Sequence, residues 1–348
     1  MSITRTRALV GVALALLASA PATAASAQGA VRYHVARRFA VGGDGGWDYL
    51  AVDTARHRLF VARSDRMMVL DEATGKLLGE IPGLQRGHGV AFAYGAGHGF
   101  ITSGADSSVV MFDLATLQVI RRTTAAVDAD AVLFDPASTH VFTFNGDANS
   151  ASVIDANLGS KIGDIPLGGK PEFGVTDGAG HIWVNLEDSA QVVEIDSRAA
   201  RVVRRWSIAP CEEPSGLALD AVHHRLFSVC GNRRMAISDA QQGRLATTVT
   251  IGNGPDAAAY DSATGLAFST NGEGTLTVVR RTAAGKYVVA QTVSTMRGAR
   301  TMALDPVSHR LYTASARFGP VPAAATPDNP RRRPPILPGT FTVLVLER

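Results

Sequence analysis

Residues 50–62, LAVDTARHRLFVA, decide the fold, because the same pattern returns six more times along the chain. In each copy an apolar run ends, usually in Asp, a short polar turn follows, and a second apolar run begins. The other copies are AFAYGAGHGFITS (91–103, without the Asp), VLFDPASTHVFTF (132–144), GVTDGAGHIWVN (174–185), LALDAVHHRLFSV (217–229), AAYDSATGLAFST (258–270) and MALDPVSHRLYTA (302–314). Seven copies of one supersecondary unit predict a closed repeat architecture.

A second motif keeps the same period of about 42 residues. Short β-rich runs end in Asp at positions 71, 113, 155, 196 and 239. Four short strands per repeat are typical of a β-propeller blade. A lone run at 33–41 resembles a fourth strand, and the last run at 341–346 resembles a third. We therefore predict an all-β, seven-bladed β-propeller of four-stranded antiparallel blades, with the N-terminal strand joining three C-terminal strands in the last blade.

The repeats also resemble a known family. The D-x-x-x-H-R-L-F-V-A and V-x-V-x-D-x-x-T-G character is similar to that of YVTN-repeat propellers, specifically the periplasmic YncE-like proteins, over essentially all of 31–348. The resemblance implies the propeller fold and a periplasmic location. It implies little about activity, although single-stranded DNA binding is attributed to one branch of the family.

The N-terminus has the character of an export signal. Arg5 and Arg7 precede an uncharged apolar stretch, and small residues at 25–27 offer a cleavage site. We predict a signal peptide at 1–27 and a single propeller domain at 28–348, located in the periplasm or secreted. The apolar stretch is too short to span a bilayer, so we expect no membrane span after signal removal.

Composition excludes some classes of protein. Hydrophobic residues make up 46% of the 348 residues and charged residues 19%, which is enough apolar surface for a packed core and excludes a disordered chain. The formal net charge of +3 falls to about +1 without Arg5 and Arg7. This small charge gives no strong electrostatic signature of nucleic-acid binding.

Chemistry is expected where the first strands of the blades enter the central channel. The residue five positions before each repeat Asp lies at the top of that strand. The seven positions, which we call the mouth ring, are Asp48, His88, Asp130, Glu172, Ser215, Asp256 and Arg300. Three interpretations stay open: polar caps holding channel water, a small-ligand site, or one bound divalent cation. Crowded carboxylates raise one another's pKa or recruit a cation, and His88 makes a transition metal an option.

Further polar residues follow the second strands and are predicted to face the same mouth. These candidate ligand contacts are Asn145, Asn185, Asn232 and Asn271, with Arg63 in the first blade. Asn is also an ordinary turn residue, so a structural role stays open. Trp47, beside Asp48, either stacks on a ligand or is buried between blades.

Two cysteines and one insertion stand apart from the repeat. Cys211 and Cys230 are predicted to lie at one rim and to form a disulfide, with a soft-metal site including Met235 as the alternative. Residues 317–339, rich in proline and arginine, interrupt the last blade on the side of the mouth ring. Arg331, Arg332 and Arg333 there either fold over the mouth, form an arm for an acidic partner, or belong to a solvated loop.

Three function classes follow from these features. No nucleophile–base motif is present, which favours a monomeric binding module for a small ligand or a periplasmic protein over an enzyme. The alternative enzyme is a metal-dependent hydrolase or lactonase using the carboxylate ring. Single-stranded DNA binding is the third class; the small net charge argues against it, whereas Arg300 and the arginines at 331–333 argue for it.

Overall fold

The computed structural model describes residues 1–3, 31–326, 329–330 and 332–348. The predicted signal peptide at 1–27, apart from its first three residues, and Arg331 lie outside the described residues. Residues Val31–Arg348 form one compact unit. Among the residues described, no helix has the length and apolar character needed to cross a membrane.

The structure confirms the all-β, seven-bladed propeller: the sheets are seven four-stranded antiparallel blades. The strands of blades 1–3 are β2 (Leu50–Asp53), β3 (Arg58–Arg63), β4 (Arg66–Asp71) and β5 (Leu77–Pro82); β6 (Gly87–Ala93), β7 (His98–Ser103), β8 (Ser108–Asp113) and β9 (Val119–Thr124); and β10 (Ala129–Asp135), β11 (His140–Asn145), β12 (Ser150–Asp155) and β13 (Lys161–Pro166). The only helical element in the described part is a single 3-10 turn, Tyr94–Ala96.

Blades 4–6 repeat this arrangement. Their strands are β14 (Pro171–Thr176), β15 (His181–Leu186), β16 (Gln191–Asp196) and β17 (Arg201–Ser207); β18 (Pro214–Asp220), β19 (Arg225–Cys230), β20 (Arg234–Asp239) and β21 (Arg244–Thr250); and β22 (Pro255–Asp261), β23 (Leu266–Asn271), β24 (Thr275–Arg281) and β25 (Tyr287–Ser294).

Blade 7 combines the two ends of the propeller. Its strands are β26 (Met302–Leu304), β27 (Leu311–Ser315), β28 (Thr342–Glu347) and β1 (His34–Ala40), in that order from the channel outward. β1 pairs antiparallel with β28, from His34 opposite Glu347 to Ala40 opposite Thr342. The strand that begins the described domain therefore covers the edge that the last strand would otherwise expose.

The repeat aspartates make the turns. Asp135 accepts a hydrogen bond from the backbone N–H of Ser138 at 2.9 Å, and Asp305 accepts one from Ser308 at 3.0 Å. The aspartates that end the third strands do the same; Asp71 accepts from the N–H of Thr74 at 2.8 Å. A short carboxylate that holds its own turn is the physical reason for the recurring Asp.

The hydrophobic core lies between successive blades. Phe142 and Phe144 of blade 3, for example, belong to one buried cluster with Ile182 and Val184 of blade 4. Each inner strand contacts the inner strands of the neighbouring blades, and β26 contacts β2, so the inner strands close around a central channel. Because the ring is closed, the first residues of the inner strands lie around the same end of the channel.

Candidate functional site

The inner strands carry the mouth ring to one end of the channel. His88, Asp130, Glu172, Ser215 and Asp256 lie in the first two residues of their inner strands β6, β10, β14, β18 and β22. Asp48 and Arg300 lie two residues before β2 and β26. Several of their side chains interact with one another across blade boundaries.

Asp48, His88 and Asp130 form the tightest group of the mouth ring. The Nδ1 atom of His88 lies 2.5 Å from Oδ2 of Asp48 and 3.4 Å from Oδ1 of Asp130. One potential ligand atom from each residue lies within 4.8 Å of the other two, close enough to share one metal ion. Arg86 donates from Nε to His88 Nε2 at 3.0 Å, so the neutral imidazole carries its proton on Nδ1, toward Asp48.

Asp130 is the least satisfied member of this group. Its Oδ1 is buried and accepts no hydrogen bond. Burial raises the pKa of Asp130 to about 7; the charge of His88 opposes this change, and that of Asp48 adds to it. Burial alone lowers the pKa of His88, but its hydrogen bond to Asp48 and the nearby carboxylates outweigh burial and raise it.

The opposite side of the mouth holds two further acids with basic partners. Lys170 Nζ lies 3.3 Å from Glu172 and makes a shorter contact with Glu187. Burial and the charges of Asp130 and Glu187 raise the pKa of Glu172 to about 8. Arg300 lies 3.3 Å from Asp256, whose pKa burial raises to about 6 against the effect of that arginine.

Two aromatic residues follow mouth-ring positions and line the channel. Tyr49 and Phe173 follow Asp48 and Glu172 in the sequence, and their ring centroids lie 5.3 Å apart. Burial and the surrounding carboxylates, Asp130 first, raise the pKa of the Tyr49 phenol well above its ordinary value. The two rings line a cavity of about 130 Å³ together with mainly small and apolar residues of the inner strands. We call the mouth ring together with its charged companions the cup.

The charges of this cup do not balance. Besides the mouth ring it includes Asp128, which pairs with Arg86, and the Lys170–Glu187 pair. Six carboxyl groups thus face three fixed cations and one imidazole, and the raised pKa values of Glu172 and Asp130 keep these two acids partly protonated near pH 7. The fixed cations are Arg86, Lys170 and Arg300. An excess of crowded carboxylates attracts cations.

The amides of the predicted asparagine contacts are bonded within the protein. Asn145, Asn185 and Asn271 are fully buried, and their amides donate within the protein: to Ser150 Oγ at 3.2 Å, to the Ser215 carbonyl at 2.8 Å and to Thr275 Oγ1 at 3.0 Å. Asn232 donates to the Pro210 carbonyl at 2.7 Å. The three buried amides have no surface to offer a ligand, and we leave them out of the candidate site.

Arg63 is also a structural residue. Its side chain is fully buried, and its guanidinium donates to the carbonyls of Gly46 at 3.0 Å and Asp44 at 2.8 Å. It also lies 4.0 Å from the centre of the Phe341 ring. The carbonyls of the loop before β2 therefore turn toward Arg63.

The cysteine prediction is confirmed. Cys211 and Cys230 form a disulfide with their sulfur atoms 2.08 Å apart, and both residues are buried. With both sulfurs in this bond, the alternative soft-metal site with Met235 has lost its thiolates.

Sequence reasoning missed the companions of the mouth ring. Arg86, Asp128 and Lys170 each lie two residues before a mouth-ring residue, and Glu187 directly follows β15. Two signals could have found these residues. Charged residues recur two positions before the ring, and aromatic residues, Tyr49 and Phe173, directly follow Asp48 and Glu172.

No protein-family model and no curated protein matches the chain. Among solved structures, the chain is similar to one titled Kuenenia stuttgartiensis Hydrazine Synthase, with 13% sequence identity and a TM-score of 0.49, over 73% of this chain and 97% of that one. The class of the molecule rests on its own seven four-stranded blades: it is a β-propeller.

Proposed function

We propose that this propeller is a binding module whose channel mouth takes a small cationic ligand. The observation that carries the proposal is the crowding of acids at the mouth: six carboxyl groups surround three fixed cations, and one carboxyl oxygen of Asp130 is buried without a hydrogen bond. The raised pKa values of Asp130 and Glu172 follow from this crowding and from burial, and a bound cation would favour the ionised form of both acids. A ligand that brings positive charge and N–H donors supplies what these groups lack.

The proposal includes the setting of the protein. Its repeats resemble those of the YVTN-repeat, YncE-like propellers, and its disulfide is compatible with an oxidising compartment outside the cytoplasm. We therefore place the module in the periplasm or outside the cell, as a monomer released from a signal peptide.

A second candidate function is metal-dependent chemistry at the same mouth. Asp48, His88 and Asp130 offer two carboxylates and one imidazole at distances that one divalent ion can span. Binding of a metal at Nδ1 would displace the proton that His88 now shares with Asp48. Glu172 would then be the remaining acid–base group of the cup.

Single-stranded DNA is the least favoured ligand of this mouth. Phosphate binding is driven by Lys and Arg that neutralise phosphates. The mouth instead presents carboxylates in excess, and its arginines Arg86 and Arg300 already pair with Asp128 and Asp256.

The test is calorimetric titration of the metal-free mature protein with spermidine, Ca²⁺ and Zn²⁺. We expect spermidine to bind once per chain, and Glu172→Gln and Asp130→Asn each to weaken it by about tenfold, since each removes one charge-assisted contact. Glu212→Gln is the matched control, because it removes the same charge from an exposed loop residue outside the mouth ring.

The titrations separate the candidates. Stoichiometric Zn²⁺ or Ca²⁺ binding that His88→Ala abolishes, without spermidine binding, would replace the binding module by the metal-dependent alternative. Absence of binding by all three probes would contradict the proposed cationic ligand.

A further inference from the structure

A larger cavity, of about 750 Å³, lies beside the channel mouth. Three arginines, Arg297, Arg300 and Arg333, line it together with apolar side chains, of which Trp47 and Phe318 are the aromatic ones. We call it the arginine cavity. Its volume is within the range of small-molecule sites, about 300–1,000 Å³.

The predicted insertion builds one wall of this cavity. The two ends of the insertion pair with each other: Leu337 N–H donates to the Arg317 carbonyl at 2.8 Å, and Gly319 N–H to the Pro335 carbonyl at 2.8 Å. Between these bonds, Phe318 forms an isolated β-bridge with Ile336. The wall that carries Phe318 is therefore held by backbone hydrogen bonds.

The aromatic surface is positioned by close packing. The ring centroid of Trp47 lies 6.2 Å from that of Phe318 and 5.5 Å from that of Phe341. Phe318 lies over Gly298, where an added Cβ would be 2.9 Å from its ring and where φ is +85°. Gly298 thus allows the close approach that fixes the Phe318 ring beside Trp47.

The opposite wall is the glycine-rich loop before β2, residues 43–47. Its carbonyls at Asp44, Gly45 and Gly46 accept hydrogen bonds from the buried Arg63. Within the described part of the chain, none of its N–H groups from Gly43 to Trp47 donates to a protein acceptor. Such free N–H groups are suited to an anion.

The charge of the arginine cavity is opposite to that of the mouth. Among the described residues, Arg300 pairs with Asp256 at 3.3 Å, whereas the guanidinium groups of Arg297 and Arg333 have no carboxylate partner. Among the described residues of the lining, Asp44 is the only acidic one. Two guanidinium groups without a carboxylate partner in the described part of the chain, next to an aromatic surface, favour an anion that carries a ring.

We propose that the arginine cavity binds a small aromatic carboxylate. The ring lies against Trp47 and Phe318, and the carboxylate accepts hydrogen bonds from Arg297 and Arg333. This site goes beyond the proposed cation site of the mouth. Arg300 borders both, but the proposed contacts of the carboxylate and its ring are outside the mouth ring, so either site can fail without the other.

The experiment uses 2-naphthoate as the probe in calorimetric titration of the mature protein. Its neutral analogue, 2-naphthylmethanol, tests the carboxylate, and acetate tests the ring. We expect 2-naphthoate to bind once per chain and each of the other two probes to bind at least about tenfold more weakly, because each lacks half of the recognition.

Variants locate the binding. Arg297→Gln and Arg333→Gln are each expected to weaken the binding of 2-naphthoate by about tenfold, because each variant loses one charge-assisted hydrogen bond. Arg121→Gln is the matched control, since Arg121 is an exposed arginine of β9 outside the cavity. Glu172→Gln, which tests the mouth, should leave 2-naphthoate binding unchanged.

Three results would overturn the proposal. They are no binding of 2-naphthoate, equal binding of 2-naphthylmethanol, and equal binding by Arg297→Gln and the natural protein. A single-stranded oligothymidylate that binds more tightly than 2-naphthoate, and whose binding is lost in the same two variants, would show that the ligand of the cavity is nucleic acid and not a small carboxylate.

Discussion

Glu172 and Asp256 connect the mouth to the pH dependence of stability. Burial raises their pKa to about 8 and about 6, from ordinary values of 4.5 and 3.8. Between these limits the folded protein binds more protons at the two groups than the unfolded chain does. Their contribution to the free energy of unfolding therefore falls as pH rises from about 4 to about 8.

We expect Glu172→Gln to be more stable than the natural protein near pH 8, with the difference shrinking toward pH 5. The slope changes by at most about 1.4 kcal/mol per pH unit, because one proton is involved. Urea unfolding at several pH values measures it, with the exposed Glu212→Gln as control. Parallel stability curves for Glu172→Gln and the natural protein would contradict this prediction.

Single residues show where sequence reasoning reaches its limit. The mouth-ring positions could be counted from the repeat, because the distance from the turn Asp to the strand top is constant. Asn145 was placed at the mouth by the same counting, but its amide turns to Ser150 and Ser152 of the adjacent strand. The sequence shows where a strand ends. It does not show which neighbour accepts the hydrogen bonds of the last side chain, because that depends on how the blade packs.

At the scale of elements, the disulfide links the segment before β18 to the last residue of β19 within blade 5. A cross-link over 19 residues restricts the unfolded chain. Loop-closure entropy predicts that the Cys211→Ala/Cys230→Ala variant loses about 3 kcal/mol of unfolding free energy. Urea unfolding with and without reductant measures the loss. Reductant should lower the unfolding free energy of the natural protein to that of the variant and should leave the unfolding free energy of the variant unchanged. A natural protein insensitive to complete reduction would refute the prediction.

The strands were predictable because each repeat contains the sequence features that define them: alternating apolar residues, a turn Asp and a short loop. The loops were less so. Lys170 precedes β14 and Glu187 follows β15, at places where the residue type changes from blade to blade. The insertion at 317–339 has no counterpart in other blades, so repetition says nothing about its contacts. Its pairing through Phe318 and Ile336, and the cavity that this pairing borders, follow only from the folded chain.

At the scale of the whole molecule, β1 touches three blades. It pairs with β28 in blade 7. Just before it, Tyr33 packs edge-on against Phe268 of blade 6 with ring centroids 5.1 Å apart, and its N–H donates to Gln291 at 2.8 Å. Toward blade 1, Phe39 fills the space over Gly75, where an added Cβ would be 2.3 Å from its ring. One short segment therefore joins both sides of the blade in which the ring closes.

Because each blade buries its faces only against its neighbours, loss of this segment should affect the entire ring. We expect a chain beginning at residue 42 to expose the β28 edge and to associate or aggregate, since an unpaired strand edge is a template for other chains. Adding the peptide of residues 31–41 should restore a monomer with one cooperative unfolding transition. Light scattering and thermal unfolding measure both effects. The same peptide with Tyr33→Ala and Phe39→Ala keeps the backbone pairing but lacks the contacts to blades 6 and 1, and it should fail to restore the monomer; equal rescue by both peptides would show that strand pairing alone closes the propeller.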